Sequence, residues 1–297
     1  MLRQTLLFLS AQPRLRHWAE TSALAGPLTR RFVAGTTLDD VIRVCREING
    51  QGIATSLDHL GENVTSAAEA GESRDQALEG LTRIADQRLN STVSIKLTQF
   101  GLDLGTGLCL DNVAPLMERA RDIGTRVEID MESTVYTDRT LEIVTALHQR
   151  FGCVRAVIQA YLRRSEADIR LLSEASIPVR LCKGAYNEDA AVAYPEKAQV
   201  DENYRQLARL LLEIGTDPAL ATHDDRMVAV GKGHPADKFE YQMLYGVRRD
   251  LQRRLVAEGY RLRLYVPYGD AWYPYFMRRL AERPANLLFL AKSLFRN

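Results

Sequence analysis

The sequence predicts an α/β protein of the (β/α)8, TIM-like barrel class, over residues 50–297, with an added N-terminal helical segment over 1–49. Three observations predict it. From residue 50 onward, short apolar runs alternate with helical stretches, giving eight strand–helix units in roughly 240 residues, the size of an ordinary barrel. No G-x-G-x-x-G turn follows the first run, which counts against a doubly wound dinucleotide-binding sheet. The C-terminal ends of the runs are unusually polar, and barrel enzymes keep their chemistry at those ends.

In chain order, residues 1–31 hold five arginines and one acid around a short apolar run, Leu6 to Leu9. That run is too brief to span a bilayer. The segment reads as an amphipathic first helix that packs on, or lies against, another surface. A transit peptide has a similar composition. "TTLDDVIRVCREIN" then reads as a helix from Thr37, with Leu38, Val41, Ile42 and Cys45 on one face.

The candidate strands are "GIATSL" (52–57), "STVSIKL" (91–97), "TRVEIDM" (125–131), "CVRAVIQAY" (153–161), "IPVRLCK" (177–183), "PALATH" (218–223), "FEYQML" (239–244) and "YRLRLYV" (260–266). Between them, "RDQALEGLTRIADQRL" (74–89) places Leu78, Leu81, Ile84 and Ala85 at helical spacing. "TDRTLEIVTALHQRF" opens on Thr137 as an N-cap candidate, and "EKAQVDENYRQLARLLLEIG" ends on Gly215 as a stop signal.

Composition narrows the function classes. With 46% apolar and 26% charged residues, and 39 basic against 38 acidic side chains, no basic tract marks a nucleic-acid surface. The four cysteines (Cys45, Cys109, Cys153, Cys182) form no C-x-x-C or metal spacing and suit a reducing compartment.

The strand ends carry the candidate site. They deliver Lys96; Asp130 and Glu132; Gln159 and Tyr161; Arg180 and Lys183; Thr222, His223 and Asp224; and Tyr265. Taken singly, each has a plain structural use: a lysine that snorkels, with Asp130 as its partner, or a loop histidine. Arg180 and Lys183 are three apart and point to opposite faces of a strand unless the chain turns after Cys182, which Gly184 allows. Together, several cations at one barrel end point to an anionic ligand, a phosphate-bearing cofactor or a carboxylate. "YVPYGDAWYPYFMRRLAERPAN" (265–286) adds adjacent Arg278 and Arg279 after a run of aromatics.

The elements "RLCKGAYNE", "ATHD", "IKLTQFGLD", "VIQAY" and "YVPYGDAWYPYFMRRLAERPAN" together resemble the proline dehydrogenase family, in its short monofunctional bacterial form. The resemblance runs in order from about residue 35 to 290. It implies a distorted barrel, non-covalent FAD, and oxidation of L-proline to Δ1-pyrroline-5-carboxylate by hydride transfer to flavin N5. Electrons would then pass to a membrane quinone. It also implies a bacterial cytoplasmic location with peripheral or transient contact at the inner face of the cytoplasmic membrane. No nucleic-acid partner is implied, and a separate pyrroline-5-carboxylate dehydrogenase would act downstream.

By the same resemblance, Gln159, Arg180, Lys183, Thr222 and His223 contact the flavin, with Arg180 beside N5. Lys96, Arg278 and Arg279 hold the substrate carboxylate, and Asp130 lies near Lys96. Tyr186, Tyr265 and Tyr275 wall the proline ring, and Glu62 pairs with Arg278 as a gate. The catalytic pair expected is Arg180 and Lys96, with no metal. Cationic neighbours would disfavour the protonated proline amine. Two other readings stay open: a barrel aldolase or lyase using Lys96 or Lys183 as a Schiff-base amine, and a non-enzymatic interaction module, which leaves the polar strand ends without a reason.

Overall fold

Eight apolar runs become eight strands in the computed structural model, which describes residues 12, 31–61, 64–273 and 275–277. They are β1 (Ala54–His59), β2 (Ser91–Ile95), β3 (Val127–Ile129), β4 (Val154–Gln159), β5 (Val179–Cys182), β6 (Ala219–Ala221), β7 (Glu240–Leu244) and β8 (Arg261–Tyr268). The strands pair in sequence order, all parallel, and β8 returns to β1 to close the barrel. Closure removes both sheet edges, so every strand is hydrogen-bonded on two sides.

The outer helices are α1 (Leu38–Asn49), α2 (Ala67–Asp86), α3 (Thr106–Asp122), α4 (Thr137–Phe151), α5 (Ser165–Glu174), α6 (Lys197–Ile214), α7 (Asp225–Gly231) and α8 (Arg249–Ala257). Thr37 caps α1 as expected: its hydroxyl accepts the Asp40 N–H at 3.2 Å, and the Asp40 carboxylate reaches back to the Thr37 N–H. Such a reciprocal cap is worth about 1 kcal/mol. Thr137 differs from expectation. It is the first residue inside α4, with Tyr136 at the cap position, and its buried hydroxyl has no hydrogen-bond partner. A short 3-10 turn (Thr134–Tyr136) runs directly into the helix, so the chain is already coiled at Thr137. Gly215 does end α6, in extended conformation, where a Cβ would meet the Leu211 carbonyl at 2.5 Å.

The distortion lies where the barrel closes. α1 comes before β1 in sequence yet packs against both β1 and β8, burying Val41, Ile42, Val44, Cys45 and Ile48 in the main core. The chain after β8 goes to the C-terminal rim instead. There Trp272, Tyr273, Tyr275, Phe276 and Met277 pack with Phe32, Val33, Leu60 and Val247. Trp272 sits edge-on to Phe276, with ring centroids 5.9 Å apart. Much of the aromatic run is therefore a second core over the rim.

The interior is more polar than a branched-aliphatic barrel filling. At its N-terminal end, Asp217 accepts from Arg126 (2.6 Å), Arg155 (2.7 Å) and Arg261 (2.8 Å). Arg155, almost fully buried, also bonds Glu240 and Glu128, and Arg263 donates to Glu240 at 3.1 Å and to the Thr55 carbonyl at 2.9 Å. Burial alone would raise Glu128, but Arg155, Arg180 and Arg263 hold its carboxyl below the usual range.

Candidate active site

Above that floor, the strand ends bring a second charged cluster onto the barrel axis. Lys96, just past β2, lies between two carboxylates: Asp58 of β1 at 3.2 Å and Asp130, just past β3, at 3.7 Å. Asp130 in turn pairs with Arg180 of β5 and accepts the Tyr265 hydroxyl of β8 at 2.8 Å. Arg180 continues downward to Glu128 (3.0 Å) and Gln242 (3.1 Å), and its guanidinium lies 5.5 Å from the Tyr265 ring centre. Six strands thus converge on one group of side chains.

Electrostatics fix the charge states. Burial would depress the Lys96 ammonium, yet Asp58, with Tyr186 and Glu132 nearby, more than offsets it, and the pKa lies above the ordinary lysine value. Lys96 therefore favours its charged form. That disfavours a Schiff-base amine, which needs a depressed lysine pKa. Burial pushes the Tyr265 phenol well up, with Asp58 adding to the effect. Of Lys96, Arg278 and Arg279, the cations expected to disfavour a protonated proline amine, only Lys96 lies among the described residues. Lys96 faces Asp58 and Asp130, and Arg180 faces Asp130 and Glu128, so their charges are already balanced.

Gln159, the last residue of β4, donates from Nε2 to the Met131 carbonyl at 3.2 Å. Its Oε1 is buried and has no hydrogen-bond partner. Leaving a buried amide oxygen unpaired costs about 1–3 kcal/mol, so this atom is set up to accept from a bound group.

A third group lies toward β5 and β6. β5 ends at Cys182, and Gly184 turns the chain at φ +94°, where a Cβ would collide with the Tyr161 ring. The turn sends Lys183 away from Arg180: its ammonium meets Asp201 at 2.5 Å and Asp224 at 3.1 Å. Lys197 joins at Asp201 and Arg226 at both acids, giving three cations around two carboxylates. Thr222 is buried, its hydroxyl accepting the Asp224 N–H at 3.1 Å. His223 Nε2 accepts the Leu244 N–H at 2.9 Å, and its carbonyl accepts from Arg248 at 3.2 Å.

Lys96, Asp130, Arg180 and Tyr265 are therefore brought into one cluster. Tyr186 lies near Lys96, and Tyr275 near Tyr265 within the aromatic rim core. Lys183, Thr222 and His223 form the separate β5–β6 side. Glu62, Arg278 and Arg279, as well as residues 1–30 except Gln12, lie outside the described residues. Sequence reasoning missed Asp58, because the first run was closed at Leu57, two residues before the strand ends. It also missed Lys197 and Arg226, which come from helices rather than strand ends.

A family model described as proline dehydrogenase matches residues 41–292. The chain belongs to the proline dehydrogenase family. Proline dehydrogenase 2 of Bacillus subtilis is 43% identical over 302 residues, covering 98% of each chain. The proline dehydrogenase of Deinococcus radiodurans is 38% identical, covering 100% of this chain and 98% of its own. Among solved structures, proline utilization A of Bdellovibrio bacteriovorus superposes with a TM-score of 0.81 at 27% identity, covering 94% of this chain and 36% of that longer one. Proline oxidation is the activity that accompanies proline dehydrogenase membership.

The family implies a flavin, and the residues of this proline dehydrogenase fit one. The unpaired Gln159 Oε1 suits a ring N–H. The cation excess around Asp201 and Asp224 suits an anionic group. Among the described residues, no helix is long and apolar enough to cross a membrane.

Proposed function

We propose that this proline dehydrogenase oxidises L-proline to Δ1-pyrroline-5-carboxylate with non-covalently held FAD. The observation that carries the reading is the convergence of Lys96, Asp130, Arg180 and Tyr265 beside the unpaired Gln159 Oε1. When bound, the flavin supplies the acceptor for a hydride from the carbon beside proline's nitrogen and passes the electrons on.

The chain's own residues do the rest. Lys96, held as a cation by Asp58 and Asp130, anchors the substrate carboxylate at a fixed point on the axis. In this reading Arg278 and Arg279 share that carboxylate, since planar guanidinium forks suit it, and Glu62 pairs with Arg278 as the gate. Tyr265, fixed through its hydroxyl to Asp130, offers its ring as a wall, together with Tyr186 and Tyr275. Gln159 would accept from the flavin ring. Arg180, locked by Glu128, Gln242 and Asp130, places positive charge where reduction builds up negative charge. Lys183, Thr222 and His223 line the cofactor's side of the mouth, where Lys197 and Arg226 add positive charge.

In the same reading the electrons leave to a membrane quinone through peripheral contact at the inner face of the cytoplasmic membrane. A separate pyrroline-5-carboxylate dehydrogenase then consumes the product. The barrel is assigned to residues 50–297 and the added segment to 1–49.

The purified protein should be yellow, with flavin absorbance released intact on denaturation. Anaerobic proline should bleach it, and an added quinone should restore the colour. A colourless protein, or a yellow one indifferent to proline, would sink the reading.

A further inference from the structure

The loop after β5, residues 184–196, is tied down in two different ways. Its second half is stitched to the loop between β4 and α5. The Arg163 N–H donates to the Val192 carbonyl (3.0 Å), its guanidinium donates to the Ala190 carbonyl (3.1 Å), and the Tyr194 N–H donates to the Tyr161 carbonyl (2.8 Å). Leu162 and Ala193 form an antiparallel bridge, and Arg163 stacks 4.6 Å over the Tyr194 ring.

The first half is held by one carboxylate reaching sideways across the rim. Glu188 accepts the Thr134 N–H at 2.8 Å and the Thr134 hydroxyl at 2.6 Å. Two bonds from one residue to one carboxylate make a strong, charge-assisted tie. The bonds also fall at the first residue of the 3-10 turn Thr134–Tyr136, where N–H groups lack partners within the turn. That turn is fixed to the loop after β2, because the Tyr136 hydroxyl donates to Asp103 at 3.0 Å. Three rim loops are joined in this way.

Tyr186 lies between the two fixed points, the Gly184 turn and Glu188. It is 40% exposed, yet close enough to Lys96 to bear on its charge. A ring this exposed gains little from burial, so the backbone that carries it bears on its position.

We propose that Glu188 is a positioning residue: by clamping Thr134 it holds Tyr186 beside Lys96, and so sets the affinity for proline. The proposal rests on reading Tyr186 as a wall of the proline site. Glu188 touches no reacting atom in this scheme, so the hydride step itself is unaffected.

The test compares E188A, E188Q, T134V and Y186A in the full-length, cofactor-loaded protein. It uses proline-dependent dye reduction and amide hydrogen exchange over residues 184–190 without proline. E188A should raise the proline KM about fivefold to tenfold with kcat within about twofold, since the loss is in ground-state positioning. Its exchange at 185–188 should quicken. E188Q, which keeps an acceptor for the Thr134 N–H, and T134V, which loses only the hydroxyl, should show smaller rises. Faster exchange in E188A with KM unchanged would overturn the positioning role. A Y186A protein with an ordinary KM would instead overturn the reading of Tyr186. A fall in kcat that matches a fall in thermal stability would make Glu188 merely structural.

Discussion

Two arginine–carboxylate clusters share the barrel interior, and they differ in what they leave unsatisfied. At the floor, Arg155 bonds Glu128, Glu240 and Asp217, Arg263, Arg126 and Arg261 add to the same acids, and the buried atom left without a partner is a donor, Arg155 Nε. At the mouth, Lys96, Arg180 and Asp130 are paired just as closely, and the buried atoms left without a partner are acceptors, Gln159 Oε1 and Asp58 Oδ2. The mouth also opens on loops that carry tyrosines and further cations. The same chemistry serves stability where every carboxylate is met by arginine, and recognition where acceptors are left for a ligand.

The largest expected effect tests the floor. Arg155→Ala leaves three carboxylates without their shared guanidinium, and breaking a buried ion pair costs about 3–5 kcal/mol. Urea unfolding should show a loss of that size. A loss under about 1 kcal/mol would mean that the neighbouring arginines take over.

Arg180→Met tests the mouth. Glu128 would keep Arg155 and Gln242, so stability should fall less than in R155A. The anaerobic rate of flavin reduction by proline should drop about 100-fold to 1000-fold, the cost of removing a preorganised charge. If only the proline KM moved, the assigned role of Arg180 would be wrong and the contrast between the two ends would fail.

The smallest effect is the pH dependence of the floor. Burial would raise Glu128 and Glu240, but the arginines, Arg155 and Arg263 prominent among them, pull both folded-state values below the usual glutamate range. A depressed carboxyl contributes stability that is present above the unfolded value of about 4.3 and lost as pH falls through the folded one. Acid unfolding followed by far-UV circular dichroism should therefore begin well below that value. Arg263→Gln should move the midpoint upward. A midpoint unchanged by R263Q would remove the floor arginines from the explanation.

The fold was legible because each strand buries one face against helices, which writes an apolar run into the sequence at regular spacing. Strand ends were legible because a barrel places them all at one mouth, so Lys96, Gln159, Arg180 and Tyr265 could be picked without knowing their partners. The interior charges were in view but unread. "VRAV", "EYQM" and "RLRL" alternate charged and apolar residues, the period of two that marks one inward face, yet the runs were treated as apolar throughout. Asp58 followed the same strand-end rule and was lost to a boundary two residues short.

By itself, then, the sequence determined the number and order of strands, the barrel class and the chemical types gathered at its mouth, because periodicity and strand order are local properties. Only the tertiary structure decided the pairings. Lys96 meets an acid 38 residues away, Arg180 one 50 residues away, and Glu188 reaches back 54 to Thr134. Such contacts depend on how the strands are staggered when the barrel closes, and that stagger is a property of the closed sheet as a whole.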